Sequence, residues 1–125
     1  MSTVDNAQLQ LRVQSSRIVA ILRGTDVDAT VAAARTLLDA GILTLEITLT
    51  LRDAEEAIGQ LVQDAPADAL IGAGTVLGER DVDRAVSAGA QFLVTPTLND
   101  SVAYAVAQGV AILPGVYTPT AIQRG

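Results

Sequence analysis

Glu46 stands in the middle of Leu43-Thr44-Leu45-Glu46-Ile47-Thr48-Leu49-Thr50, where apolar and polar residues alternate as they do along a half-buried β-strand. Propensity disfavours a glutamate there. If the strand is central, burial raises the carboxyl pKa unless a charge or hydrogen bond offsets it. A carboxyl group tuned in that way is a candidate general acid/base. Two plainer placements explain it as well: a strand end that reaches water, or an ion pair with an arginine. Arg23 is the second residue of interest, because it closes the all-apolar run Ile18-Val19-Ala20-Ile21-Leu22. A guanidinium in that place serves as an anion ligand or as an ion-pair partner. Thr48, Thr50, Thr75, Thr95, Thr97 and the pair Tyr117-Thr118 fall at or just beyond other apolar runs. Taken singly, each fits ordinary turn chemistry.

Absent residue types narrow the chemistry further. The sequence has no histidine and no cysteine. Zinc sites built on those ligands, disulfides, thiol nucleophiles and Ser-His triads are thereby excluded within it. Its eight basic residues are all arginine, namely Arg12, Arg17, Arg23, Arg35, Arg52, Arg80, Arg84 and Arg124. With no lysine, no side chain here can form a Schiff base with a carbonyl substrate.

The elements that must hold these groups follow from the apolar pattern. The 125 residues suffice for one domain with one core. Half are hydrophobic and only 2% aromatic, so Ala, Val, Ile and Leu must build that core. Such a composition suits helices layered on a parallel sheet. Net charge is −6 without a basic stripe, which argues against nucleic acid. No stretch approaches the roughly 18 apolar residues of a membrane span. The first residues carry no secretory pattern, so a cytoplasmic location is the default expectation.

Residues 1–16 read as a short N-terminal helix or lead-in, and residues 17–125 as the folded unit. Ile18–Leu22 has the continuous apolar character of a strand buried on both faces. Thr25-Asp26-Val27-Asp28 starts a helix with capping side chains, and Val27, Val31, Ala34 and Leu38 form its apolar stripe. Gly41 closes it. After the glutamate strand, a helix is expected over 53–64, then a strand over 70–75 and a helix over 79–88 closed by Gly89. A strand over 92–95, a helix over 99–108 closed by Gly109 and a strand over 111–113 complete the series. Helix ends meet strands repeatedly at Asp39-Ala40-Gly41-Ile42, Ser87-Ala88-Gly89-Ala90 and Ala107-Gln108-Gly109-Val110. Such alternation means βα units and a parallel sheet. Asp26, Asp28, Asp53, Glu55, Glu56, Glu79, Asp81, Asp83 and Asp100 fall in the expected first helical turns, where they stabilise the helix dipole. The acidity therefore needs no metal or cationic ligand. Ligands of α/β sheets bind at the carboxyl ends of the strands, where the polar groups named above collect. Gly24, Gly72, Gly74 and Gly115 would let backbone approach a ligand there. Gly72-x-Gly74 is not a dinucleotide fingerprint, because its third glycine and its acidic ribose ligand are missing.

Several segments in order carry a resemblance: Ile18-Val19-Ala20-Ile21-Leu22-Arg23, Leu45-Glu46-Ile47-Thr48, Ile71-Gly72-Ala73-Gly74-Thr75-Val76, Ala88-Gly89-Ala90-Gln91-Phe92, Thr95-Pro96 and Leu113-Pro114-Gly115-Val116. Together they resemble the 2-keto-3-deoxy-6-phosphogluconate (KDPG) / 4-hydroxy-2-oxoglutarate (KHG) aldolases over nearly all of residues 17–122. The resemblance implies a class I aldolase on a TIM-type (β/α)8 barrel, usually a homotrimer, acting on a keto acid or its phosphate to release pyruvate and an aldehyde. It implies no metal and no cofactor. By the family pattern Glu46 is the general acid/base, Thr75 contacts the substrate carboxylate, and Arg23, Pro96 and Thr97 line the site. Two departures stand out. The family's phosphate-contacting arginine is out of register, with Thr50 in its place and the arginine at Arg52. The Schiff-base lysine belongs to a sixth strand, beyond Gly125. On this reading about five of eight barrel strands are present and truncation is expected, because Gln123-Arg124-Gly125 falls where a helix has barely begun. Two alternatives are an open five-stranded flavodoxin-like sheet that binds a small anion or serves as an assembly module, and an inactive scaffold.

Overall fold

Five apolar runs become strands because they are short segments rich in Leu, Ile, Val and Ala, bounded by glycine, proline or capping residues and too short themselves to wind into a buried helix. The computed structural model describes Ala7, residues 19–95 and residues 100–114. The strands are β1 (Ala20–Leu22), β2 (Thr44–Thr48), β3 (Leu70–Gly74), β4 (Phe92–Thr95) and β5 (Ala111–Pro114). The helices between them are α1 (Val27–Asp39), α2 (Ala54–Asp64), α3 (Glu79–Ala88) and α4 (Asp100–Ala107). The sheet order is β1-β2-β3-β4-β5, and every pairing is parallel. The expected βα architecture is therefore present. The expected lead-in over residues 1–16 lies outside the described residues, apart from helical Ala7.

Local chemistry sets the boundaries. Asp26 is the N-cap of α1, and its side chain accepts from the Asp28 N–H at 2.9 Å. Gly41, Gly89 and Gly109 all take positive φ just past a helix, as a left-handed closure requires. Two acids depart from the expected placement. Asp53 is the N-cap of α2 but sits at φ 60 and makes no side-chain cap bond. Asp83 lies in the second turn of α3, where its carboxylate accepts from the Tyr104 hydroxyl at 2.7 Å.

The main core lies between the sheet and the helices. Leu45, Ile47, Ile71, Ala73, Leu93 and Ile112 meet Val31, Ala34 and Leu38 of α1, Ala57, Ile58 and Leu61 of α2, and Val82 and Ala85 of α3. The opposite face of the sheet holds a second, small cluster of Leu70, Phe92 and Ala111 with Val94 packed on it. β1 corrects an expectation. It spans three residues, and Ile21 is 51% exposed, so the strand is not buried on both faces. As the sheet's first strand it pairs on one side only among the described residues, and no second layer covers Ile21.

Outside the core, Arg84 of α3 grips α2. Its Nε and Nη2 donate to the two carboxylate oxygens of Glu55 at 3.0 and 2.8 Å, and Nη1 donates to Asp81 at 3.1 Å. The Arg84 bond holds the Glu55 carboxyl below its usual pKa. Both partners are more than a third exposed, so solvent screens the pair. Arg84→Ala should cost about 0.5–1 kcal/mol by urea denaturation near neutral pH. That loss should shrink as Glu55 is protonated in acid.

Candidate active site

Glu46 is placed by strand register. The row Ile21, Glu46, Gly72, Phe92 and Ala111 runs across the sheet on the face turned away from the helices. β2 is central, with β1 on one side and β3 on the other. Glu46 is only 5% exposed, and Thr44 and Thr48 on the same face are 3% and 1% exposed. Neither plainer placement of the glutamate holds, since it is not at a strand end and no described residue pairs with it in a salt bridge.

Burial pushes the Glu46 carboxyl up from 4.5 to about 7, and the positive charge of Arg23 pulls the other way. Desolvation disfavours the charged form, while a cation favours it. Among the described residues none donates a hydrogen bond to this carboxylate. A carboxyl poised near neutrality can both take up and release a proton at ordinary pH.

Side-chain space positions the group. A Cβ built on Gly74 would lie 2.5 Å from Glu46 Cδ and 2.8 Å from Cγ, and closer still to Oε1. The Glu46 chain therefore leans along β2, past its register partner Gly72, toward the carboxyl end of the sheet. Gly72 makes room in the same way for Phe92, whose ring atoms would lie 2.5–2.6 Å from a Cβ there. Neither glycine has positive φ. These glycines were expected to let backbone approach a ligand; side chains fill both spaces instead. At Gly24 a Cβ would meet Thr30 Oγ1 at 2.8 Å, and Gly115 lies outside the described residues.

Around the carboxyl end of the sheet, Arg23 follows β1 and is exposed. Thr48 donates from Oγ1 to the Leu22 carbonyl at 3.4 Å, and Thr50 donates to Thr48 Oγ1 at 3.2 Å, which links the ends of β1 and β2. Thr75 directly follows β3 at φ 57. A β-branched residue in that region is strained by about 1–3 kcal/mol, and such strain collects at functional sites. Thr95, at the end of β4, is fully buried. Pro96 and Thr97 lie outside the described residues. The structure thus brings Glu46, Arg23 and Thr75 to one edge. The hollow beyond β2, about 330 Å³, is lined by Arg52 with Asp26, Asp28, Asp53 and Glu56, so carboxylates outnumber the one cation there. No group of three or more metal-ligating side chains occurs among the described residues.

Sequence reasoning gave two residues of the resemblance no role of their own. Phe92 supplies the ring that fills the Gly72 space, and its signal was its status as the one phenylalanine of the chain. Gln91 aligns β4 with β3, since its Oε1 accepts from the Ile71 N–H at 2.9 Å while its own N–H donates to the Ile71 carbonyl at 2.8 Å. No apolar pattern marks it.

The class these features define is a parallel βα sheet with a buried carboxyl, its pKa raised to about 7, on a central strand. The sequence model of the KDPG and KHG aldolases matches residues 9–125, and the chain belongs to that family. It is 39% identical over 109 residues to the 2-dehydro-3-deoxy-phosphogluconate aldolase of Treponema pallidum, which covers 86% of this chain and 51% of that protein. The crystal structure of the Zymomonas mobilis ZM4 2-keto-3-deoxy-6-phosphogluconate aldolase with 3-phosphoglycerate aligns at TM-score 0.80 and 33% identity, over 94% of this chain and 56% of that one. The KDPG aldolase of Legionella pneumophila, crystallised with pyruvate captured as a covalent carbinolamine, aligns at TM-score 0.71 and 26% identity, over 85% and 52%. The chain spans about half the length of the curated relatives it matches.

Proposed function

We propose that this chain supplies the acid/base half of a class I aldolase site, with Glu46 as the proton carrier. The single observation that carries this reading is a carboxyl group 5% exposed on a central strand, with its pKa raised to about 7. In the cleavage direction the Glu46 carboxylate takes the hydroxyl proton of a 4-hydroxy-2-keto acid. The C3–C4 bond then breaks, an aldehyde leaves, and the electron pair moves toward a carbinolamine-derived iminium at C2. The protonated Glu46 next returns its proton to C3, giving the pyruvate methyl group. One carboxyl serves both steps because its pKa lies between the two demands.

Thr75, strained at the end of β3, is proposed to hold the substrate carboxylate, and Arg23, Pro96 and Thr97 to line the remainder. The amine that forms the iminium is not a side chain of residues 1–125, which contain no lysine. On this reading it comes from a sixth strand of a closed (β/α)8 barrel, in a homotrimer with a cytoplasmic setting. Carboxylates beside Arg52 oppose a substrate phosphate in that hollow, so a phosphorylated substrate would need a phosphate site elsewhere.

Pyruvate with borohydride tests the division of labour. Intact mass should show no side-chain adduct on the 125-residue chain, and retro-aldol turnover should be absent. Turnover by this chain alone would overturn the reading.

A further inference from the structure

Resting on the reading of Glu46 above, we infer that Gly74 is a positioning residue, whose missing side chain forms the slot that holds the Glu46 carboxyl at the edge of the sheet. Three observations carry this. First, Gly74 has no backbone need to be glycine, because it is a strand residue and positive φ is confined to Gly41, Gly89 and Gly109 among the described glycines. Glycine in a strand weakens it, so the residue requires some other reason. Second, the three nearest atoms a Cβ would meet all belong to Glu46: Oε1, Cδ and Cγ. Third, no described residue donates a hydrogen bond to this carboxyl, so among the described residues shape is what sets its place. The register partner of Glu46 is Gly72, and that space is already taken by the Phe92 ring. The carboxyl thus has one slot, over Gly74, two residues nearer the carboxyl end.

The clash from a methyl group at 74 falls on the far end of a flexible side chain. Gly74→Ala should therefore expel the carboxyl rather than break the sheet. An expelled carboxyl gains water, and its titration moves down toward the ordinary carboxylate range.

The test uses the 125-residue chain. Side-chain 13C-labelled glutamate is titrated by NMR in wild type and Gly74→Ala, and urea midpoints are measured for Gly74→Ala with and without Glu46→Ala. The expected result is a downward shift of the Glu46 titration and a lowered midpoint that is abolished when Glu46 is alanine. If Gly74→Ala alone fails to fold, folding of the double variant supports the slot. An unshifted titration, an equal midpoint loss in both backgrounds, or failure of both variants to fold overturns it. Because none of these readouts needs turnover, the slot can stand while the aldolase reading fails, and the reverse.

Discussion

Glu46→Gln should abolish a fall in stability that the wild-type chain shows as pH rises from about 4.5 to about 7. The unfolded chain titrates this group at the ordinary 4.5, whereas burial raises it to about 7 in the folded chain. Between those values the folded state binds more protons than the unfolded one, so stability declines with rising pH. The shift corresponds to about 3 kcal/mol, fully present as stability below the lower value and lost above the upper one. The amide of Gln is neutral throughout and removes the slope. Glu55 contributes with the opposite sign and in more acid conditions, because its pKa is lowered. Urea denaturation of wild type and variant at about pH 5 and about pH 8 separates the two groups. Parallel curves for wild type and variant would mean that the carboxyl is well solvated, and the acid/base reading would lose its basis.

Phe92→Ala should cost about 3–5 kcal/mol, the range for deleting a fully buried aromatic side chain. Its ring is 0% exposed and anchors the small cluster with Leu70, Ala111 and Val94 on the face opposite the helices. Those neighbours are too few and too small to close the gap. Gly72→Ala attacks the same contact from the other side. The ring is packed and cannot swing away, so overpacking by about 1–3 kcal/mol is expected. Adding Phe92→Leu should return part of that loss, whereas additive losses would show that ring and glycine do not share the space. Thermal or urea unfolding reads all three variants.

The contrast between Gly72 and Gly74 marks how far the sequence could be read. Apolar runs and closing glycines predicted every described strand and helix to within a few residues, because both depend on neighbours along the chain. Glu46 was legible for the same reason: a carboxylate amid alternating apolar residues is conspicuous. What fills a glycine's empty side depends on register between strands, here β2 against β3 and β3 against β4. No local pattern encodes that register, so both glycines read as ligand-facing when they face Glu46 and Phe92. Ile21 misled in another way. Its apolar run resembles a strand covered on both faces, yet coverage is set by what stands beside β1, which the run itself does not contain. The strain at Thr75 was likewise invisible, since threonine is an unfavourable choice for a left-handed turn.

The simple succession of the strands has a kinetic consequence. They begin at residues 20, 44, 70, 92 and 111, and among the described residues each pairs only with those next to it in the sequence. Loop closure for every such pairing spans a single βα unit rather than the whole chain, which keeps the contact order down. Synthesis at about 5–20 residues per second delivers a further βα unit every few seconds, slowly compared with hairpin-scale rearrangements. The sheet can therefore grow by accretion at its β5 side as the polypeptide leaves the ribosome, with Glu46 gaining its Gly74 slot once β3 has docked, before β4 has emerged.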